Sequence, residues 1–471
     1  MSNPANPCIS PFSLTMLMVI AIASLRDVPQ IATYGLGAIT VYIMAGVLFF
    51  IPVAMITAEL VSTWPEAGGS YFWIKKAFGQ HVGFVCLILY WFQNVLWYPV
   101  ITTYAASSFA YFWDPAHAEA LVNSPSYISC FIIVAQWAQT LMVLLGGLEV
   151  MAFIGSFSSI LGFFTPALVL IITTMAWIYT GMPSHLSLQW SSLIPPLHQA
   201  GSLTFAVTVI LAFMGIEMTC AHVQDVRGGY KGFVLSIAVA CISIMLVFIL
   251  CALAIAVVFP SNSIVLQSGV VASLEKILAH FGLEFLSRYI SLCMTIGVIG
   301  SVSAWLTGPS RQMSIAAKEG ILPAVFSYQR HGIASAVVLL NSTIVSVVAL
   351  VFYLQPSVTQ TYFTLSDCAV QLYLIVYVAM ISAAVVLRLR HPEKISAFQI
   401  PGGMLGLGTT AAIALFGCTI TFLVGFIPPS QFALASPDHF SFFLAGMIFL
   451  ICALASALYL LRRAYGCVTT E

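Results

Sequence analysis

Long runs without a single Asp, Glu, Lys or Arg dominate this chain: 28–58, 150–216, 232–274 and 395–437. A soluble domain keeps about a quarter of its residues charged. Here the share is 6%, against 61% hydrophobic. A bilayer-crossing helix needs about 20 mostly apolar residues. Twelve segments qualify, near 12–34, 39–62, 83–112, 126–146, 150–180, 201–222, 232–259, 284–310, 333–354, 361–387, 407–428 and 440–461. Barrel strands would alternate apolar and polar residues over segments of about ten. These runs are longer and apolar all round, so the expected fold is an all-α integral membrane protein with 12 transmembrane helices.

The 11 cysteines are scattered and form no C-x-x-C pair. They read as small core hydrophobes, not as metal ligands or disulfides. Residues 1–11 hold no Lys or Arg and no small-residue cleavage site follows, so no secretory signal is expected. Basic residues gather after even-numbered segments. Lys75 and Lys76 follow segment 2, Arg227 and Lys231 follow segment 6, and Arg311, Lys318 and Arg330 follow segment 8. Arg388, Arg390 and Lys394 follow segment 10, and Arg462 and Arg463 end segment 12. The connections after segments 3, 5, 9 and 11 have none. Lys and Arg stay on the cytoplasmic side. Both termini are therefore expected inside, with 1–11 as a cytoplasmic N-terminus and 464–471 as a short cytoplasmic tail. The stretch 64–81, with Tyr71, Phe72, Trp73, Lys75, Lys76 and Phe78, reads as a short amphipathic helix in the cytoplasmic interface.

Five ionisable residues lie in or near the segments: Arg26, Asp27, Glu59, Glu217 and Asp367. Facing lipid, each would cost roughly 2.5–3.5 kcal/mol, so each is expected to face a partner, water or a pathway. Arg26 and Asp27 are adjacent, which on a helix sets them about 100° apart, with no need to pair. Pro29 interrupts segment 1, and Gly215 beside Glu217 weakens segment 6. Taken singly, Pro29 is a kink, Gly215 a close helix contact and Glu217 a protonated cross-link between helices. Breaks at matching places in the two halves of a five-plus-five repeat instead mark a transporter site. Half-helix N-termini hold a carboxylate there and freed carbonyls hold an ammonium, the two groups of an α-amino acid.

The ordered series of motifs carries a resemblance. It runs through Pro29-Gln30-Ile31-Ala32-Thr33-Tyr34-Gly35, Phe50-Ile51-Pro52-Val53, Ala58-Glu59-Leu60 and Glu66-Ala67-Gly68-Gly69 with Tyr71-Phe72-Trp73. It continues through Phe213-Met214-Gly215-Ile216-Glu217, Ala221-His222-Val223, Ser303-Ala304-Trp305, Gly308-Pro309-Ser310-Arg311, Gly320-Ile321-Leu322-Pro323 and Ile400-Pro401-Gly402-Gly403. Over nearly its whole length the chain resembles the bacterial glutamate/γ-aminobutyrate antiporter group of the amino acid–polyamine–organocation superfamily. The resemblance implies a leucine-transporter-type inverted repeat, 12–181 against 201–390, with two further helices in 407–463. It also implies substrate contact by Ile22, Ala23 and Ser24 in segment 1, by Met214, Gly215 and Ile216 in segment 6, and by Trp305 in segment 8. Trp97, Tyr98, Tyr373 and Tyr377 are weaker candidates, since aromatic residues on long helices usually just pack; for Trp305 the alternative is packing at the lipid interface.

Two departures limit the carry-over. Ser301 stands where the antiporter group has an acidic residue, so part of that discrimination is missing. The few residues after Arg463 leave no room for that group's pH-sensitive plug, so acid-gated glutamate/γ-aminobutyrate exchange is not carried over, and the sequence does not set a pH dependence. Arg26 would attract an acidic substrate side chain, unless it forms a structural ion pair with the surroundings of Asp27 or with Glu217. Burial disfavours a charged carboxylate, which makes Glu217 the candidate for proton coupling.

The expected function is a secondary active amino acid transporter, an antiporter working by alternating access. The bundle of segments 1, 2, 6 and 7 would rock against segments 3, 4, 8 and 9, with Trp305 closing over the substrate. The alternative is a proton-coupled symporter or uniporter of the same fold. No H-E-x-x-H motif or Gly-rich phosphate loop occurs, so neither an intramembrane enzyme nor an ATP-driven pump is expected. No cofactor, metal or nucleic acid is called for. The expected partners are an amino acid, a counter-substrate and the lipid bilayer of a bacterial inner membrane, and nothing sets an oligomeric state.

Overall fold

Pro29 sets the first break, because its ring crowds the carbonyl four residues back, that of Leu25. The computed structural model describes residues 9–66, 68–195, 209–264, 269–354, 357–394, 398–427 and 437–464. In it, α1 (Pro11–Ile22) stops short of Leu25. Ala23 and Ser24 are extended, at φ −82°, ψ 119° and φ −129°, ψ 131°. A 3-10 turn, Leu25–Asp27, leads into α2 (Val28–Ala32), which carries Pro29 in its first turn, where a missing donor costs nothing. The Ser24 hydroxyl caps the restart by accepting from the Arg26 N–H at 3.3 Å.

Proline shapes two more crossings. α3 (Gly37–Ala45) and α4 (Ile51–Thr63) are joined by a π-helical turn, Gly46–Phe50. Pro52 has no N–H for the carbonyl of Leu48, and the wider turn absorbs the mismatch. The same device recurs between α7 (Pro125–Ser159, turning at Gly147 with φ 66°) and α8 (Thr165–Tyr179), where a π turn, Ile160–Phe164, precedes Pro166. That turn brings Gly162 against Gly297, where a Cβ on Gly297 would lie 2.7 Å from the Gly162 Cα.

The remaining helices of ten residues or more are α5 (Gly69–Phe78), α6 (Gln80–Trp113), α9 (Gly229–Val258), α10 (Gly269–His280), α11 (Glu284–Lys318), α12 (Ser335–Leu354), α13 (Val358–Arg390), α14 (Gly403–Val424) and α15 (Pro437–Ala464). Eleven stretches among the described residues are long and apolar enough to cross a bilayer. Segment 6 is the difference from the expected twelve. Residues 196–208 lie outside the described residues, and the remainder is a short helix over 209–212, a break, and a 3-10 helix, Ile216–Asp225. The predicted repeat boundary at 201 and the tail 464–471 fall at or within such stretches, and only Ala464 of that tail is described. Two groups of helices pack internally: α9 runs along α1, α2 and α4, whereas α6, α7, α11 and α12 pack on one another.

Two expectations need correction. α5 does not lie with its apolar face toward lipid: Tyr71, Trp73 and Ile74 are buried beneath α6 and α13, and the Trp73 indole donates to the Trp64 carbonyl at 3.1 Å. Its amphipathic pattern marks a face covered by protein. Arg311 and Lys318 lie within α11 rather than after it, because Pro309 does not end that helix. α10 adds a helix in the connection between segments 7 and 8, where the sequence shows no spanning segment. It is too short to cross a bilayer, and it buries Val270, Val271, Leu274 and Ile277 on one face.

Candidate functional site

The second break meets the first. Past the helical turn 209–212, the chain leaves helical geometry at Gly215, with φ +117° and ψ 2°. Any L-residue other than glycine is strained there. Space adds a second reason for glycine, since a Cβ would lie 2.7 Å from Trp305 Cζ2. Trp305, from α11, spans the two breaks: its indole N–H donates to the Ala21 carbonyl at the end of α1 at 2.8 Å. From α13, the Tyr377 hydroxyl accepts from the Gly215 N–H at 2.7 Å. Protein side chains thus occupy one peptide carbonyl and one peptide N–H of the kind a zwitterion needs.

Around this junction lies a cavity of about 30 Å³, walled chiefly by Ser24, Arg26, Gln93, Met214, Trp305 and Tyr373. That is room for about one or two waters, so the site is closed down around its own side chains. Ile22, Asp27 and Trp97 also line it, and the rings of Trp97 and Trp305 lie 5.5 Å apart. Ala23 and Ser301 line a neighbouring cavity on the other side of the first break, which shares Ser24. Gly215 and Ile216 form the break itself, and Tyr98 packs at 5.9 Å from Trp97. The Ala23 N–H closes the last turn of α1 on the Val19 carbonyl at 2.7 Å. The Gly215 carbonyl accepts from the Met218 N–H at 3.1 Å, and that of Ile216 from the Thr219 hydroxyl at 3.3 Å.

Four of the five charged candidates, all but Asp367, are engaged. Arg26 and Asp27 form a two-pronged ion pair, 2.8 Å from Nε to Oδ1 and 2.9 Å from Nη2 to Oδ2, each side chain about 5% exposed. The helical separation expected for neighbours does not apply, because the pair sits on the 3-10 turn after an extended Ser24 and the long arginine folds back along it. Arg26 does not reach Glu217. Glu217 is buried and its carboxylate accepts from the hydroxyls of Tyr373 and, at 2.5 Å, Tyr377. Glu59 pairs with Arg388 at 3.4 Å and accepts from the Ile400 N–H at 2.9 Å. Arg388 also bonds the Gly403 carbonyl at 3.0 Å, tying the ends of α4, α13 and α14.

Sequence reasoning underrates Tyr373 and Tyr377 and misses Gln93, Leu211 and Ala369, which also line the cavity. Gln93 carries a signal, being an amide in the middle of an apolar segment. Leu211 and Ala369 carry none.

Residues 9–454 match the family model described as amino acid permease. The chain is 31% identical over 449 residues to an uncharacterized transporter of Legionella pneumophila, covering 95% of this chain and 96% of that protein. It is 25% identical over 428 residues to a glutamate/gamma-aminobutyrate antiporter of Lactococcus lactis, covering 90% and 84%. A probable agmatine/putrescine antiporter of the same species is 23% identical over 448 residues, covering 93% and 92%. With membrane-length helices throughout its described part, the chain is a multi-pass membrane transporter, not an enzyme, and belongs to the amino acid permease family.

Proposed function

We propose that this transporter carries amino acids by alternating access, as an antiporter in a bacterial inner membrane with both termini cytoplasmic. The supporting observation is the pair of broken helices facing one another beneath Trp305. The first and second repeats, 12–181 and 201–390, each supply one break. Two short helices begin at the site, at Ser24 and at Gly215, and their N-terminal ends favour a carboxylate. α1 ends there, and its last carbonyls favour an ammonium. A zwitterion takes the Ala21 carbonyl from the Trp305 indole and the Gly215 N–H from the Tyr377 hydroxyl. Substrate entry therefore swings Trp305 aside and loosens Tyr377 from Glu217, coupling occupancy to the packing of α13. Glu217 is the group that carries a coupled proton. The antiporter names of two relatives favour exchange over symport.

Exchange is tested by uptake of radiolabelled amino acids into proteoliposomes preloaded with unlabelled amino acids or their decarboxylated amines. Saturable uptake that requires internal substrate is expected. Uptake independent of preload would assign a symporter or uniporter, and no movement under any preload would remove the amino acid reading.

A further inference from the structure

Among the membrane-segment carboxylates Asp27, Glu59, Glu217 and Asp367, Asp367 alone has an oxygen left without a partner among the described residues. Asp27, Glu59 and Glu217 each have a named partner. Asp367, on α13, has a buried Oδ2 without a hydrogen-bond partner among the described residues. It lines a further cavity of about 20 Å³, adjoining the substrate-site cavity through Asp27 and Leu211 and walled also by Gln30, Tyr362, Ser366 and Gln371.

Two amides in this wall also lack a partner for their oxygen among the described residues. Gln30, on α2, is 2% exposed and its Oε1 is unpaired; Gln371, on α13, is 0% exposed with the same deficit. The sense of the Gln371 amide follows from its Nε2, which donates to the Phe422 carbonyl at 3.1 Å. One carboxylate oxygen and two amide oxygens without a mate among the described residues thus belong to side chains that wall one small cavity. A buried acceptor left unmated costs about 1–3 kcal/mol, so three together indicate a ligand.

We propose that this cavity binds a sodium-sized monovalent cation, held by the Asp367 carboxylate and the amide oxygens of Gln30 and Gln371. Hard oxygen donors suit an alkali ion. Asp27 is already neutralised by Arg26, which leaves one uncompensated negative charge and matches one positive charge. The volume admits a body the size of about one water, too small for an amino acid. A proton on Asp367 would satisfy only one of the two amide oxygens, whereas a central ion meets all three. Gln30 rides on the half-helix that restarts after the first break, and α13 carries Tyr373 and Tyr377. Ion occupancy therefore bears on the same elements that shape the substrate site.

The test contains no transport step, so it stands or falls apart from the exchange reading. The purified full chain is unfolded by heat across a NaCl series at constant ionic strength, balanced with choline chloride. A saturable rise of the midpoint with sodium is expected, absent in Asp367→Asn. Gln30→Met, which keeps the charge, should weaken the apparent sodium affinity by about tenfold, or about 1.4 kcal/mol. Equal midpoints in both salts, or an undiminished sodium response in Asp367→Asn, would overturn the site. A midpoint that follows pH and ignores sodium would assign Asp367 a proton and also overturn it. Should Asp367→Asn not fold, an unchanged sodium affinity in both Gln30→Met and Gln371→Met would overturn the site equally.

Discussion

Arg26→Ala should lower the stability of the folded protein by about 3–5 kcal/mol, because it leaves the Asp27 carboxylate buried and unpaired. The pair is two-pronged, and both side chains are almost fully enclosed. Asp27→Asn should be nearly as damaging, since it strands the guanidinium. Replacing both residues together, by Met and Leu, should recover most of the loss, because an apolar pair of similar volume often matches a buried ion pair in stability. Thermal unfolding of the purified variants measures all three. The ion pair also decides what Arg26 does for substrate choice. Its charge is already spent on Asp27, so the ranking of acidic over neutral ligands should not change in whatever Arg26→Ala protein folds. A well-folded Arg26→Ala variant that lost only acidic ligands would instead make Arg26 a reader of substrate charge.

Gly215→Ala should reduce exchange at least tenfold while leaving a folded protein. The residue would sit at φ +117°, a strain of roughly 1–2 kcal/mol for an L side chain. Its Cβ would also press on Trp305 Cζ2 from 2.7 Å. The indole cannot retreat without releasing the Ala21 carbonyl. Gly228→Ala is the control: it has φ +84° but open space around the added carbon. It carries the backbone strain without touching the site, so its exchange rate should stay near that of the unaltered protein. Equal loss in both variants would trace the effect to strain alone. Normal exchange by Gly215→Ala would show that the junction of Gly215 and Trp305 does not control passage.

Much of this arrangement can be read from residues that act on their own backbone. Pro29 forces the first break within a few residues of itself, and Gly215 alone can take the angles of the second. Pro52 and Pro166 act equally locally, yet their π turns escape such a reading, because proline signals an interruption without saying how the helix absorbs it. Side chains that converge from distant helices are harder. Nothing in segment 10 by itself says that Tyr373 and Tyr377 point at a carboxylate more than 150 residues earlier, at separations of 156 and 160. Ser301 shows the reverse: it is expected at the substrate site, but it lines a neighbouring cavity that shares Ser24. The pairing of Arg26 with Asp27 defies regular helix geometry because the chain forms no regular helix there. The amphipathic stretch around Tyr71 is hard to place because periodicity reports a covered face without saying whether protein or lipid covers it.

The central claim is that peptide groups at two facing helix breaks recognise both charged ends of a zwitterion. Ligand-induced thermal stabilisation, which reports binding by mass action, tests it with one transported amino acid, its N-acetyl derivative and its methyl ester. The account predicts a saturable rise in midpoint with the free amino acid, and apparent affinities at least tenfold weaker for the two blocked forms. Comparable stabilisation by either blocked form would mean that the bare peptide groups are not what holds the substrate.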